Sequence, residues 1–376
     1  MYKRRFNIIV VTTVASMISG CNHLLTESVQ RKNVASLEEI TNRFNVQTEV
    51  VHSEQIIEGN MVPVGSLADG YHVFRDNYNT YNGHPSYLFR MKDDRKNRIE
   101  FSSLFTTDND IKHLSLSERN NHIKAKSLYH YGKGKVSKSR QTWIYTYGLW
   151  LPSSLNEESK GIISQWHGIP DRTTIRTPTG KIVEYTLNQF NSEVLSKMYF
   201  KSGVGYSIDK KDKNGFTVDQ GGYPPLALKV GEGYLYVSVR SDHNRVTNKR
   251  DRVNLRPPLT GPKLSKLGTK TISNPYMKRL SELPREQWID MRWEIIWPSM
   301  MESRQNEAIV MDRTANNGSV KLWMNNIKVL DWKGNLGNND KYGTYFKYGL
   351  YKPGASGIEI RLAGFKQQKR LDHNQE

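Results

Sequence analysis

From about Val51 onward the chain alternates short apolar runs with turn residues. Tyr87-Leu88-Phe89, Trp143-Ile144-Tyr145-Thr146-Tyr147, Gly161-Ile162-Ile163-Ser164-Gln165-Trp166, Tyr234-Leu235-Tyr236-Val237-Ser238-Val239 and Val320-Lys321-Leu322-Trp323-Met324 have the length and composition of strands. Asn-Gly, Pro-Ser, Gly-Gly and Asn-Asn-Gly steps punctuate them. The sequence shows no βαβ alternation, no glycine-rich phosphate loop and no internal repeat. Many short strands without helical spacers predict an all-β antiparallel sandwich, and a jelly roll suits a chain of 376 residues. One stretch differs in character. Residues 171 to 218 hold a predicted short helix around Leu187 to Tyr199 and then the polar run Asp209 to Gly215, which reads as an insertion projecting from the sandwich.

Composition changes the picture mainly through charge. Abundant aromatics, 20 Tyr and 8 Trp, fit the strand reading. Lys and Arg number 55 against 37 Asp and Glu, a formal charge of +18, which predicts a polyanionic partner: nucleic acid, acidic lipid or acidic glycan. The N-terminus narrows the choice. Lys3, Arg4 and Arg5 precede the apolar stretch Ile8 to Ile18 and the small residues Ser19-Gly20, the pattern of a secretory signal over residues 1–20. The stretch is too short to span a membrane. Ile18-Ser19-Gly20-Cys21 resembles a bacterial lipobox, and Cys21 is the only cysteine, so lipid anchoring is its expected use. The expectation is an exported protein of the periplasm or outer-membrane surface, touching membrane through that anchor alone. Residues 21–50 then form a polar lead-in, and 51–376 the main domain. Export argues against nucleic acid as the partner and moves an acidic polysaccharide to the front. Between 240 and 256, Arg240, Arg245, Lys249, Arg250, Arg252 and Arg256 form either a solvated loop or a sulfate-binding rim, since the arginine fork suits oxyanions.

Cleaving a uronic-acid glycoside by β-elimination needs a group to stabilise the carboxylate side, a base for the C5 proton and an acid for the departing O4. Three segments offer such groups. Within Ser164-Gln165-Trp166-His167-Gly168, strand alternation sets Gln165 and His167 on one face and Trp166 on the other. An amide beside an imidazole can hold a carboxylate and take its α-proton, although a lone histidine at a strand end is more often structural. Within Tyr345-Phe346-Lys347-Tyr348-Gly349-Leu350-Tyr351, Tyr345, Lys347, Gly349 and Tyr351 share a face, with Phe346, Tyr348 and Leu350 toward the core. Lys347 on the Tyr351 face would favour the phenolate and suit a proton shuttle. Asn97-Arg98-Ile99-Glu100-Phe101 puts Arg98 and Glu100 together, with Glu100 holding an arginine able to clamp a carboxylate or sulfate.

Taken together these segments have a recognisable order. An Arg-x-Glu strand, a Gln-x-His strand and a Tyr-Phe-Lys-x-Gly-x-Tyr strand resemble the jelly-roll polysaccharide lyases. Tyr129-His130-Tyr131-Gly132-Lys133-Gly134, Gln165 to Gly168, Asp219-Gln220-Gly221-Gly222-Tyr223-Pro224, Arg240-Ser241-Asp242 and Tyr345 to Tyr351 are similar to the heparin lyase I family in particular, from about Tyr81 to the C-terminus. The resemblance implies a jelly roll with a thumb-like insertion, 172–218, and a cleft between the two. It implies His167 and Tyr351 as the acid/base pair, with Gln165, Arg98 and Lys347 around the uronate. One of the pair would take the C5 proton while the other protonates O4; for iduronate, His167 is the expected base. It also implies a structural calcium held by Asp219, Asn339, Asp340 and the backbone carbonyl of Arg245, oxygen ligands of the kind Ca²⁺ takes. Read without the resemblance, Asn338-Asn339-Asp340 is a hairpin turn. Val136 stands where some members carry cysteine, and no histidine lies between Gly168 and Asp242, where some carry one.

The function expected is a heparin and heparan sulfate lyase, monomeric, with Arg240, Lys249, Arg250, Lys210 and Lys211 as sulfate-binding candidates. An alginate lyase is the alternative within the same chemistry, disfavoured by the long insertion and the basic loop, since alginate carries no sulfate. A non-catalytic surface glycan-binding lipoprotein is the alternative outside it.

Overall fold

The computed structural model describes residues 48–50, 62–65, 71–92, 98–102, 136–137, 142–168, 174–184, 217–218, 224–242, 244, 246, 263–264, 270–298, 302–305, 308–311, 318–339 and 344–370. All of these fall in one compact unit, Val46–Glu376. The signal segment, Cys21 and the predicted helix around 187–199 lie outside the described residues.

Each of the five runs singled out by pattern is a strand: His84–Met91, Thr142–Trp150, Gly161–Gly168, Tyr234–Asp242 and Gly318–Met324. Two large sheets organise them. The first has eight strands in the order Thr48–Val50, Tyr71–Tyr81, His84–Met91, Ile358–Lys369, Thr142–Trp150, Trp288–Ile296, Gly318–Met324 and Ile327–Gly334. The main path of the second runs Lys263–Leu264, Lys270–Arg279, Tyr234–Asp242, Leu226–Gly231, Gly161–Gly168, Thr344–Tyr351, Arg98–Ser102 and Val62–Gly65. Pairing is antiparallel along both paths. Strands adjacent in a sheet are mostly remote in sequence, as crossovers between two stacked sheets require.

Local chemistry sets the hairpins. Asn82-Gly83, Glu232-Gly233 and Asn325-Asn326 each join paired strands with two residues, and both central residues have positive φ (49° and 79°, 53° and 78°, 50° and 63°). That is the primed turn whose twist matches the strands it connects. Between the sheets lies an aromatic core. Trp166 meets Trp293 at 4.8 Å, Phe346 at 4.9 Å and Tyr145 at 5.2 Å, while Phe346 stacks on Phe365 at 4.9 Å. Trp166 and Phe346 sit directly beside His167 and Lys347 in sequence. Burying these rings therefore forces their polar neighbours onto the opposite face of the second sheet.

The stretch expected as an insertion contributes a separate three-stranded sheet, with Ile182–Glu184 and Thr217–Val218 flanking Thr174–Arg176. Arg176 Nη2 donates to the Val246 carbonyl at 2.8 Å. One sequence expectation is corrected. Asn338 is not part of a simple hairpin turn: Gly337–Asn338 pairs in parallel with Ser241–Asp242, because the chain passes here from the first sheet to the second.

Candidate active site

Arg98–Ser102, Thr344–Tyr351 and Gly161–Gly168 are neighbours in the second sheet, so the three segments read from sequence form one surface. Their register fixes three rows. Tyr345 faces His167; Lys347 lies between Ser102 and Gln165; Tyr351 lies between Arg98 and Ile162. The Gln165–Lys347 row therefore runs between the His167 row and the Tyr351 row. Phe346, Tyr348 and Leu350 are fully buried in the core, as alternation predicts.

Glu100 organises the surface. Its carboxylate is 1% exposed, pairs with Arg98 Nε at 2.8 Å and accepts from the Gln165 amide. Glu100 lies opposite Gly349, whose φ is +135°. A Cβ at Gly349 would fall 2.5 Å from the Ile99 carbonyl and 2.7 Å from the Glu100 Cα, so only glycine allows this approach. The register against Gly161–Gly168 shifts between Tyr348 and Tyr351, next to this close contact.

Lys347 is 4% exposed, and among the described residues its ammonium meets only the Tyr345 ring, 5.1 Å from the centroid. No carboxylate among them pairs with it. Gln165 Oε1 is likewise buried without a hydrogen-bond partner among the described residues. Buried polar groups of this kind are costly unless a ligand satisfies them. Arg98, Lys347 and Glu100 together carry one net positive charge, which matches a single carboxylate. The cations against Tyr351 are Arg98, with Cζ 4.5 Å from the ring centroid, and Lys352, with Nζ at 5.3 Å; Lys347 lies over Tyr345 instead. His167 Nδ1 lies 2.7 Å from the Gly168 carbonyl oxygen. In the neutral ring this contact places the proton on Nδ1 and the lone pair on Nε2.

The surface thus sets Arg98, Lys347 and the Gln165 amide between the His167 imidazole row and the Tyr351 phenol row. Residues 53–369 match the family model described as polysaccharide lyase. The chain belongs to the polysaccharide lyase family. It is 31% identical over 363 residues to heparin lyase I of Pedobacter heparinus, covering 87% of this chain and 92% of that one. Among solved structures, the endo-β-1,4-glucuronan lyase of Trichoderma reesei aligns with a TM-score of 0.35 at 10% identity, over 85% of this chain and 89% of that one. The Chlorella virus alginate lyase vAL-1 aligns with a TM-score of 0.35 at 8% identity, over 86% and 99%. Scores at this level carry no argument about substrate.

Of the remaining candidates of this lyase, Arg240 lies on the Tyr234–Asp242 strand, its N–H donating to the Pro225 carbonyl at 2.7 Å. Lys210, Lys211, Lys249 and Arg250 lie outside the described residues, as do Asp219, Arg245 and Asp340. Asn339 is buried, and its N–H donates to the Asp242 carbonyl at 2.9 Å. Among the described residues no three His, Cys, Asp or Glu side chains cluster as a metal site. Two features of the site escaped the sequence reading: the Glu100–Gln165 bond, which depends on register, and Lys229, considered below.

Proposed function

We propose that this polysaccharide lyase cleaves heparin and heparan sulfate by β-elimination at the glucosamine–uronate linkage. The observation that carries the reading is Lys347, buried without a carboxylate partner among the described residues, beside Gln165 and flanked by the His167 and Tyr351 rows. Arg98, Lys347 and the second amide N–H of Gln165 hold the uronate carboxylate and stabilise charge that develops on it as C5 loses its proton. For iduronate, His167 Nε2 takes the C5 proton. The electron pair forms the C4–C5 double bond, the C4–O4 bond breaks, and the Tyr351 hydroxyl protonates O4. The products are a 4,5-unsaturated uronate and a shortened chain. The surplus of basic residues and the 31% identity to heparin lyase I favour a sulfated glycan over alginate. Lipid anchoring at Cys21 would hold the enzyme outside the cytoplasm, where such glycans are met.

The proposal includes a structural calcium held by Asn339, Asp219, Asp340 and the Arg245 carbonyl. Asn339 and Asp242 are both buried and are joined at this sheet end by a backbone hydrogen bond, and their side chains carry oxygens of the hard kind that calcium takes. Its contribution would be to fix loops, with no part in the proton transfers. The test of the function is a heparin digest followed by ultraviolet absorbance of the unsaturated product. His167→Ala and Tyr351→Phe should each abolish that signal while leaving the fold intact. Full activity in either variant refutes the assignment.

A further inference from the structure

The second sheet carries one more lysine that the proton-transfer scheme does not use. Lys229 alternates with Leu226, Leu228 and Val230, all buried in the core, and so stands on the same face as Gln165 and Tyr351. The register shifts between Leu228 and Lys229, which places Lys229 opposite Ile162. Ile162 in turn lies opposite Tyr351, and Tyr351 opposite Arg98. One row therefore crosses five strands as Tyr236, Lys229, Ile162, Tyr351 and Arg98. At about 4.8 Å per strand, Lys229 is about 10 Å from Tyr351 by backbone.

The surroundings of Lys229 are cationic. Its ammonium lies 6.0 Å from the Tyr236 ring centroid and has no hydrogen bond or ion pair among the described residues. Lys160 immediately precedes the Gly161–Gly168 strand, and Lys352 immediately follows Thr344–Tyr351. Gly354 N–H donates to the Lys160 carbonyl at 2.9 Å, which ties the segments bearing these two exposed lysines together. Desolvation, then the charges of Arg240, Lys352 and Lys160, push the Lys229 ammonium well below the usual lysine range, and no acidic group among the described residues raises it. A bound anion would relieve this crowding and hold Lys229 in its charged form.

We infer that Lys229, with Lys160, Lys352 and Arg240 around it, forms a sulfate subsite for the sugar next to the uronate undergoing elimination. This rests on the heparin-lyase reading. The ester oxygens would accept from several ammonium and guanidinium donors at once, so the subsite selects for sulfation rather than contributing to proton transfer.

Lys229→Met keeps the apolar stem and removes the charge. A charge-assisted contact of this kind is worth about tenfold in binding. The variant should therefore bind heparin about tenfold more weakly and show a matching rise in KM, with kcat within about twofold of the parent. Binding to chemically desulfated heparin should not change. Lys160→Ala, at an exposed position, should give a smaller loss on heparin only. Unchanged heparin binding in Lys229→Met overturns the subsite, as does an equal loss on both polymers. A parent enzyme that forms no unsaturated product refutes the lyase reading instead, and equilibrium binding of the two polymers still decides the subsite.

Discussion

Replacing Glu100 with Gln tests whether the proposed carboxylate clamp is held from beneath. The substitution keeps shape and volume at a position 1% exposed, so packing is unchanged. What changes is charge and hydrogen bonding: one carboxylate oxygen forms an ion pair with Arg98 Nε at 2.8 Å without hydrogen-bond geometry, and the other accepts from the Gln165 amide. A glutamine side chain has one acceptor oxygen and must turn its NH₂ toward one of these two donors. At least one charge-assisted bond, worth about 1.5–3 kcal/mol, is therefore lost. If that energy is spent positioning Arg98 and Gln165 for the developing charge, kcat/KM falls about 10- to 100-fold. The split between parameters is the sharper reading. Removing a negative charge beside the bound uronate raises the local charge from +1 to +2, so ground-state binding does not weaken. The loss should appear in kcat, with KM unchanged or lower. Initial rates across a heparin concentration series, with thermal unfolding to confirm the fold, measure this. A kcat/KM within about twofold of the parent refutes the positioning role. So does unchanged kcat with a raised KM, which would make Glu100 a ground-state binding group.

A second prediction concerns stability in acid. Asp76 and Arg361 form a fully buried pair at 2.5 Å, with the Asp76 carboxylate also accepting from Tyr78 N–H, Asn79 N–H and the Asn79 side chain. Burial alone would raise the Asp76 pKa, yet these hydrogen bonds and Arg361 bring it below the usual aspartate value. Its stabilisation is therefore present above about pH 4, the unfolded value, and lost as pH falls through the folded value. Asp76→Asn should cost about 3–5 kcal/mol at neutral pH by removing the carboxylate paired with buried Arg361, and its remaining stability should fall less steeply in acid; a parallel acid limb in urea titrations would count against this. Calcium supplies a third prediction. Chelation should lower the unfolding temperature of the parent protein, and Asn339→Ala should remove that response; an identical response in both would exclude Asn339 as a ligand.

How much of this was legible in the sequence depends on the range of the interaction concerned. Alternation is local, so the faces of Gln165, His167, Lys347 and Tyr351 could be read from which neighbours are apolar. Trp166 and Phe346 then bear the reading out by filling the core. The ion pair of Arg98 with Glu100 was legible for the same reason, two residues apart on one strand. Register is not local. The bond from Gln165 to Glu100 joins residues 65 apart, and nothing in either strand announces it. The same holds for the cation on Tyr351: periodicity nominated Lys347, but cross-strand pairing brings Arg98 there and leaves Lys347 over Tyr345. Gly349 is the one local sign of the close contact with Glu100, since a glycine inside a strand often marks close backbone approach. Lys229 was least legible of all. In Leu226-Ala227-Leu228-Lys229-Val230 it looks like an ordinary polar position on a half-buried strand. Only the shifted register and the lysines flanking two other strands give it a shared anion to hold.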